Sequence, residues 1–174
     1  AWLARMRARA VWIERAFGLV LMTNFMTVML SIPALLLASC YPLMKRYTHL
    51  PQVVLGAAFS WAIPMAFGAV LGHVPLEAWL LFAATLTWAL VYDTEYAMVD
   101  REDDLIIGVK STAILFGRYD RLIVGLLQLL MLALLVYVSI AAERGSVYFA
   151  GLVLAAMLAL YQQWLIREHN PKRF

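Results

Sequence analysis

The residues best equipped for chemistry lie together. Tyr92-Asp93-Thr94-Glu95-Tyr96-Ala97-Met98-Val99-Asp100-Arg101-Glu102-Asp103-Asp104 carries six of the chain's eleven acids within thirteen residues. On a helix each residue turns about 100°. Spacings of seven and four then put Asp93, Asp100 and Asp104 on one face, with Tyr96 beside them. Carboxylates in a row repel, so water, basic side chains or a metal must offset their charge. Mg²⁺ takes oxygen ligands and is commonly held by one or two carboxylates plus substrate phosphates. The row therefore suits a Mg²⁺–diphosphate site. The plain alternative is a solvated acidic loop balanced by Arg101, Lys110, Arg118 and Arg121, and it is the preferred reading for Glu102 and Asp103. Asp93 differs, because it lies where the surrounding run is still apolar. An acid at that depth is a functional candidate by default. A Ca²⁺ loop of the EF-hand kind is excluded: its sixth position is Leu105 where Gly is needed, and no Glu stands at the twelfth.

A second cluster is Tyr41-Pro42-Leu43-Met44-Lys45-Arg46-Tyr47. Tyr41 and Lys45 are four apart and can share a helix face. Two adjacent cations and two phenols make an anion clamp. Taken alone, the cluster reads rather as basic anchors and aromatic belt residues at a membrane surface. A third element, Gly108-Val109-Lys110-Ser111-Thr112, follows the acids and offers a Lys and hydroxyls to phosphate oxygens. Its glycine spacing is not that of a P-loop. His49, His73 and His169 have no partners spaced for a metal. Cys40 sits alone in an apolar run and reads as an inert packing residue.

These residues are set among apolar segments. Of 174 residues, 64% are hydrophobic and only 14% charged, and the mean hydropathy is +0.80. A soluble domain is about 25% charged, so lipid is the expected solvent. Spans of roughly 20 apolar residues are expected at Phe25–Met44, Val53–Leu71, Leu76–Met98, Leu122–Ala142 and Val147–Ile166, with a partial one at Val11–Asn24 broken by Glu14 and Arg15. The expected fold is all-α: one polytopic transmembrane bundle over 1–174, with five full spans and one partial. Residues 1–24 are atypical, 25–166 form the core and 167–174 a tail. Lys and Arg orient it. Placing the loops around Lys45 and Arg101–Arg121 on one side collects twelve basic residues there, against Arg144 alone opposite. That side is expected to be cytoplasmic. The clustering of charge between spans argues against a nucleic-acid face.

The motifs carry a resemblance. Tyr41-Pro42-Leu43-Met44-Lys45-Arg46 resembles the YPxxKR segment of the UbiA prenyltransferase superfamily, in its bacterial 4-hydroxybenzoate polyprenyltransferase branch. Asp93–Asp104, followed by Ile107-Gly108-Val109-Lys110-Ser111-Thr112-Ala113, resembles that family's second aspartate-rich motif and its trailing segment. The likeness runs from about Met26 to about Ile166. It implies a larger helical bundle around a cavity that opens to lipid. It also implies Mg²⁺-dependent transfer of a polyprenyl group from polyprenyl diphosphate to the ring of 4-hydroxybenzoate, in ubiquinone biosynthesis at the bacterial inner membrane. By the same resemblance Asp100 and Asp104 would bind Mg²⁺. Tyr41 and Lys45 would help hold diphosphate and Arg46 would assist with phosphate or with the benzoate carboxylate, with Tyr96 and Lys110 as further substrate-binding residues. Asp93 would orient the ring or take its proton.

One departure stands out. The family's first aspartate-rich motif, NDxxDxxxD, has no counterpart, since no aspartate stands at the motif's spacing after Asn24. The motif is expected upstream of Ala1, and a last helix beyond Phe174. An alternative is therefore a non-catalytic fragment, and another is a relative acting on a different aromatic acid. A transporter would need acids in several spans near the bilayer midplane. Here they gather at one edge, which disfavours it.

Overall fold

In the computed structural model, the backbone is described for residues 2–168 and side chains for 25–167. The expected partial span over Val11–Asn24 and the first arginines lie outside the described side chains. Among the described residues eight α-helices follow one another: α1 (Trp2–Tyr47), α2 (Pro51–Ser60), α3 (Ala62–Leu71), α4 (Leu76–Val99), α5 (Arg101–Ile107), α6 (Thr112–Phe116), α7 (Asp120–Ala141) and α8 (Ser146–Leu165). There is no strand among the described residues. Five stretches are long and apolar enough to cross a membrane: Phe25–Tyr47, Pro51–Leu71, Leu76–Val99, Thr112–Ala141 and Ser146–Leu165. These are the five full spans expected from hydropathy.

α4 sits in the middle of the bundle, packed on α2 and α7. α1 lies against α2 and α3, and α8 against α7. Many buried positions are small or polar, among them Ala78, Ala84, Thr87, Ala89, Thr94, Ala97 and Ala113, beside a small apolar cluster of Val91, Val124 and Ile166. Large apolar residues such as Leu35, Leu129, Leu160 and Val147 point outward. This inverts a soluble core. Lipid tails are as apolar as Leu, so helix association relies on close approach of small residues and on interhelical hydrogen bonds. Trp61 supplies one such bond, its Nε1 donating to the Leu30 carbonyl at 2.8 Å.

The span Pro51–Leu71 is broken at Trp61 into α2 and α3. Pro64 is the cause. It has no N–H for the Ser60 carbonyl, and its ring crowds that turn. The ladder resumes at once, with the Met65 amide on the Trp61 carbonyl at 3.3 Å.

A second break corrects the sequence reading. Asp93 through Asp104 do not lie on one uninterrupted helix. α4 ends at Val99, Asp100 takes φ −84° and ψ 3°, and α5 starts at Arg101. The reason is electrostatic. Acids at a helix C-terminus oppose the helix dipole, whereas acids in a first turn are favoured by it. Restarting at Arg101 puts Glu102, Asp103 and Asp104 in a first turn.

Candidate active site

The end of α1, the end of α4, α5 and the segment 108–111 meet at one end of the bundle. Gly108 closes α5 in the left-handed conformation, φ 72°, which only glycine adopts readily. The reversal carries Lys110 back to α1. Its amide donates to the Lys45 carbonyl at 3.2 Å, and its Nζ to the Tyr47 carbonyl at 3.3 Å. Both bonds satisfy carbonyls that a helix C-terminus leaves open. They also gather Lys45, Arg46 and Lys110 on one patch. Lys45 and Arg46 are exposed and Lys110 half-buried.

Asp93 joins the patch from α4. It is half-buried, and the Lys45 charge acts on it. Tyr41, one turn before Lys45, is half-buried; Tyr96, one turn before Asp100, is exposed. The Tyr92 hydroxyl donates to that of Tyr96 at 3.2 Å. Asp100 is exposed and Asp104 half-buried, with the Asp104 amide on the Asp100 carbonyl at 2.8 Å.

The segment after the acids is fixed from below. Ser111 caps α6, its side chain accepting from the Ile114 amide. Thr112 is fully buried. Its hydroxyl meets that of Thr94 at 2.7 Å, and its amide donates to Gln52 Oε1 at 3.2 Å. The Gly108–Thr112 stretch thus works partly as a bracket between α2 and α4, a role its composition alone did not reveal.

Sequence reasoning missed three further groups. Asp120 has no exposed surface and pairs with Arg101. Gln128, Gln162 and Gln163 are linked inside the membrane, with Gln128 Nε2 on Gln162 Oε1 at 3.0 Å and Gln163 Nε2 on Gln128 Oε1 at 3.2 Å. Glu95 turns toward the end of α8, where it lines a cavity with Gln162 and Ile166. The signal available for the last two was polar residues inside apolar runs, which are costly there unless used.

The fit to a divalent cation can be tested on the donor set. Among the described residues no three His, Cys, Asp or Glu side chains converge on one point. These residues do not offer a cage for a metal held by protein alone. Asp100 and Asp104 are two carboxylates one turn apart at an open surface, which fits Mg²⁺ shared with phosphate oxygens.

The bundle is therefore that of a polytopic membrane protein, with acids and cations assembled at one membrane face. Residues 7–173 match the UbiA prenyltransferase family, and the chain belongs to that family. It is 61% identical over 155 residues to the 4-hydroxybenzoate octaprenyltransferase of Alkalilimnicola ehrlichii, covering 89% of this chain and 53% of that protein. The enzyme of the same name from Chromohalobacter salexigens is 60% identical over 155 residues, covering 89% and 52%. That from Nitrosococcus oceani is 58% identical over 159 residues, covering 91% and 56%. The chain spans about half the length of these relatives. No solved structure matches it.

Proposed function

We propose that this chain, within a protein of its relatives' length, takes part in transferring a polyprenyl group from polyprenyl diphosphate to the ring of 4-hydroxybenzoate, a step of ubiquinone biosynthesis. The reaction would run at the cytoplasmic face of the bacterial inner membrane. The observation that carries this reading is the return of Lys110 to the end of α1, beside Lys45 and Arg46, directly after the segment that bears Asp100 and Asp104.

Asp100 and Asp104 would hold Mg²⁺, which when bound supplies positive charge against the charge gathering on a leaving diphosphate. Lys45, Arg46 and Lys110 act on the same oxygens. Fixed cations at a low-dielectric surface stabilise that charge more than water does. Tyr41 offers its hydroxyl to the clamp from the preceding turn of α1. As the allylic C–O bond breaks and the ring carbon ortho to the phenol bonds to the allylic carbon, the displaced ring proton needs an acceptor. Asp93 is proposed for it, or for orienting the ring. The apolar spans keep water from the allylic cation.

The experiment measures Mg²⁺-dependent prenyl transfer and diphosphate release in membranes carrying the full-length protein. Asp100→Ala is expected to lower turnover roughly 10²–10³-fold with membrane insertion unchanged. Near-normal turnover in that variant removes Asp100 from the metal site. Absence of transfer to 4-hydroxybenzoate by the unmodified protein, with transfer to another aromatic acid, reassigns the acceptor.

A further inference from the structure

Glu95 is an acid that the proposed reaction does not use. It is half-buried in a membrane-crossing helix, and its Oε1 is shielded from solvent with no hydrogen-bond partner. An unpaired buried acceptor of this kind costs on the order of 1–3 kcal/mol, more if charged. Such a group is retained where something else completes it.

The surroundings say what that is. Glu95 faces a cavity of about 280 Å³ shared with Tyr92, Tyr96, Gln162, Leu165 and Ile166. Its walls are mostly apolar and aromatic, and its polar groups are few. Gln162 uses its amide oxygen to accept from Gln128, so the donor it can offer is its Nε2. The cavity therefore combines one acceptor, one amide donor and two phenol rings 4.9 Å apart. That set is complementary to a single aromatic ring bearing a hydroxyl. The hydroxyl donates to Glu95 and accepts from Gln162, and the ring lies along Tyr92 and Tyr96.

The cavity also has the right neighbours. A second cavity, of about 380 Å³, abuts it at Tyr92 and Gln162 and runs along Trp88, Met131, Leu135 and Leu158. An apolar tail fits there. At about 100° per residue on α4, Tyr96 and Tyr92 fall in the arc between Asp93 and Glu95.

We propose that Glu95 is a catalytic residue that binds the phenolic hydroxyl of the aromatic acceptor, with Gln162 as the second contact. This rests on the aromatic-prenylation reading and deepens it. A hydrogen bond from the phenol to a carboxylate pushes electron density into the ring, and the carbon ortho to the hydroxyl gains nucleophilicity. No bond to Glu95 forms or breaks.

The test compares 4-hydroxybenzoate with 4-methoxybenzoate, which keeps the ring but has no proton to donate. Their binding to the full-length protein in lipid nanodiscs is measured without any prenyl donor, so the result does not depend on turnover. The unmodified protein is expected to prefer the phenol by about 10- to 100-fold, the range for a hydrogen bond to a charged group. Glu95→Ala should bring the two ligands within about twofold. Glu95→Gln keeps an acceptor and the same shape, so it should retain most of the preference while kcat falls. An unchanged preference in Glu95→Ala overturns the proposal, as does a preference lost equally in the Gln variant. Where Glu95→Ala does not insert, Glu95→Gln together with Gln162→Leu decides: retained preference in the first and weakened preference in the second support it, and no effect of Gln162→Leu refutes it. Phenol-selective binding without any prenyl transfer would instead leave this site standing and remove the reaction assigned above.

Discussion

Asp120 is fully buried at the start of α7, and the Arg101 guanidinium is what makes that position tenable. Arg101 reaches it from the first residue of α5, across the acidic stretch. The same side chain thus anchors α5 to α7. Its Nε is buried with no partner, so Arg101 is held in place for Asp120 rather than freely solvated. Removing one member of such a pair leaves an uncompensated charge, and the loss is typically 3–5 kcal/mol when both are buried. Arg101 keeps a quarter of its side-chain surface, so Asp120→Ala is expected to cost about 2–3 kcal/mol. Asp120→Asn should cost less, because an amide can still accept. Thermal unfolding of the detergent-solubilised protein reads both. Equal melting temperatures for Asp120→Ala and the unmodified protein would show that the pair does not hold α5 in place. None of this was legible in the sequence. Arg101 and Asp120 are nineteen residues apart, and Arg101 reads in the sequence only as one of four cations balancing an acidic loop.

At the scale of the elements, glycine positions decide how closely α2 and α3 approach their neighbours. A Cβ added at Gly56 would stand 3.0 Å from the Leu86 carbonyl oxygen. That atom is α4 backbone and cannot step aside without moving the helix. At Gly68 the nearest atom is Leu30 Cδ1 at 2.9 Å, the far end of a flexible side chain. The two substitutions should therefore part company. Gly56→Ala is expected to destabilise by about 1–3 kcal/mol, as overpacking does. Gly68→Ala should come out near neutral, since repacking of Leu30 is offset by the gain of up to about 1 kcal/mol for alanine in a helix. Unfolding of the two variants side by side checks this, and equal losses would mean that α4 yields as easily as a leucine. Hydropathy placed four of the five spans within a few residues, because a run of apolar residues needs no partner to be read, while the fourth begins at Thr112 rather than Leu122. Pro64 announced a disturbance in its span. The break at Asp100 had no such mark: the helical period runs straight through it, and no Gly or Pro stands there. Only the summed charge of four acids against the dipole of α4 explains it. The clamp was legible as Lys45 and Arg46. The return of Lys110 to α1 was not, since it depends on the left-handed turn at Gly108.

At the scale of the molecule, the large apolar side chains cover the outside. Leu35, Val70, Ile106, Leu160 and Val147 are each more than two-thirds exposed. Water would not tolerate that much apolar surface, and lipid does not penalise it. Charge completes the picture, because the ends of the bundle are unequal. Lys45, Arg46, Arg101, Lys110, Arg118 and Arg121 cluster at the end that carries the acids, while the α7–α8 turn has Arg144 as its one basic residue. The excess of Lys and Arg predicts that the acid-bearing end faces the cytoplasm. Cysteine labelling in intact cells can test it, with Cys40 replaced by Ala because it is exposed. Gly145 in the α7–α8 turn has open space around it, so Gly145→Cys should be accepted without strain and should react with a membrane-impermeant maleimide from outside. Glu102→Cys, exposed in α5, should react only after the membrane is opened. The reverse pattern would put Lys45, Lys110 and the carboxylates on the outer face. The orientation on which the proposed chemistry depends would then be lost together with the topology.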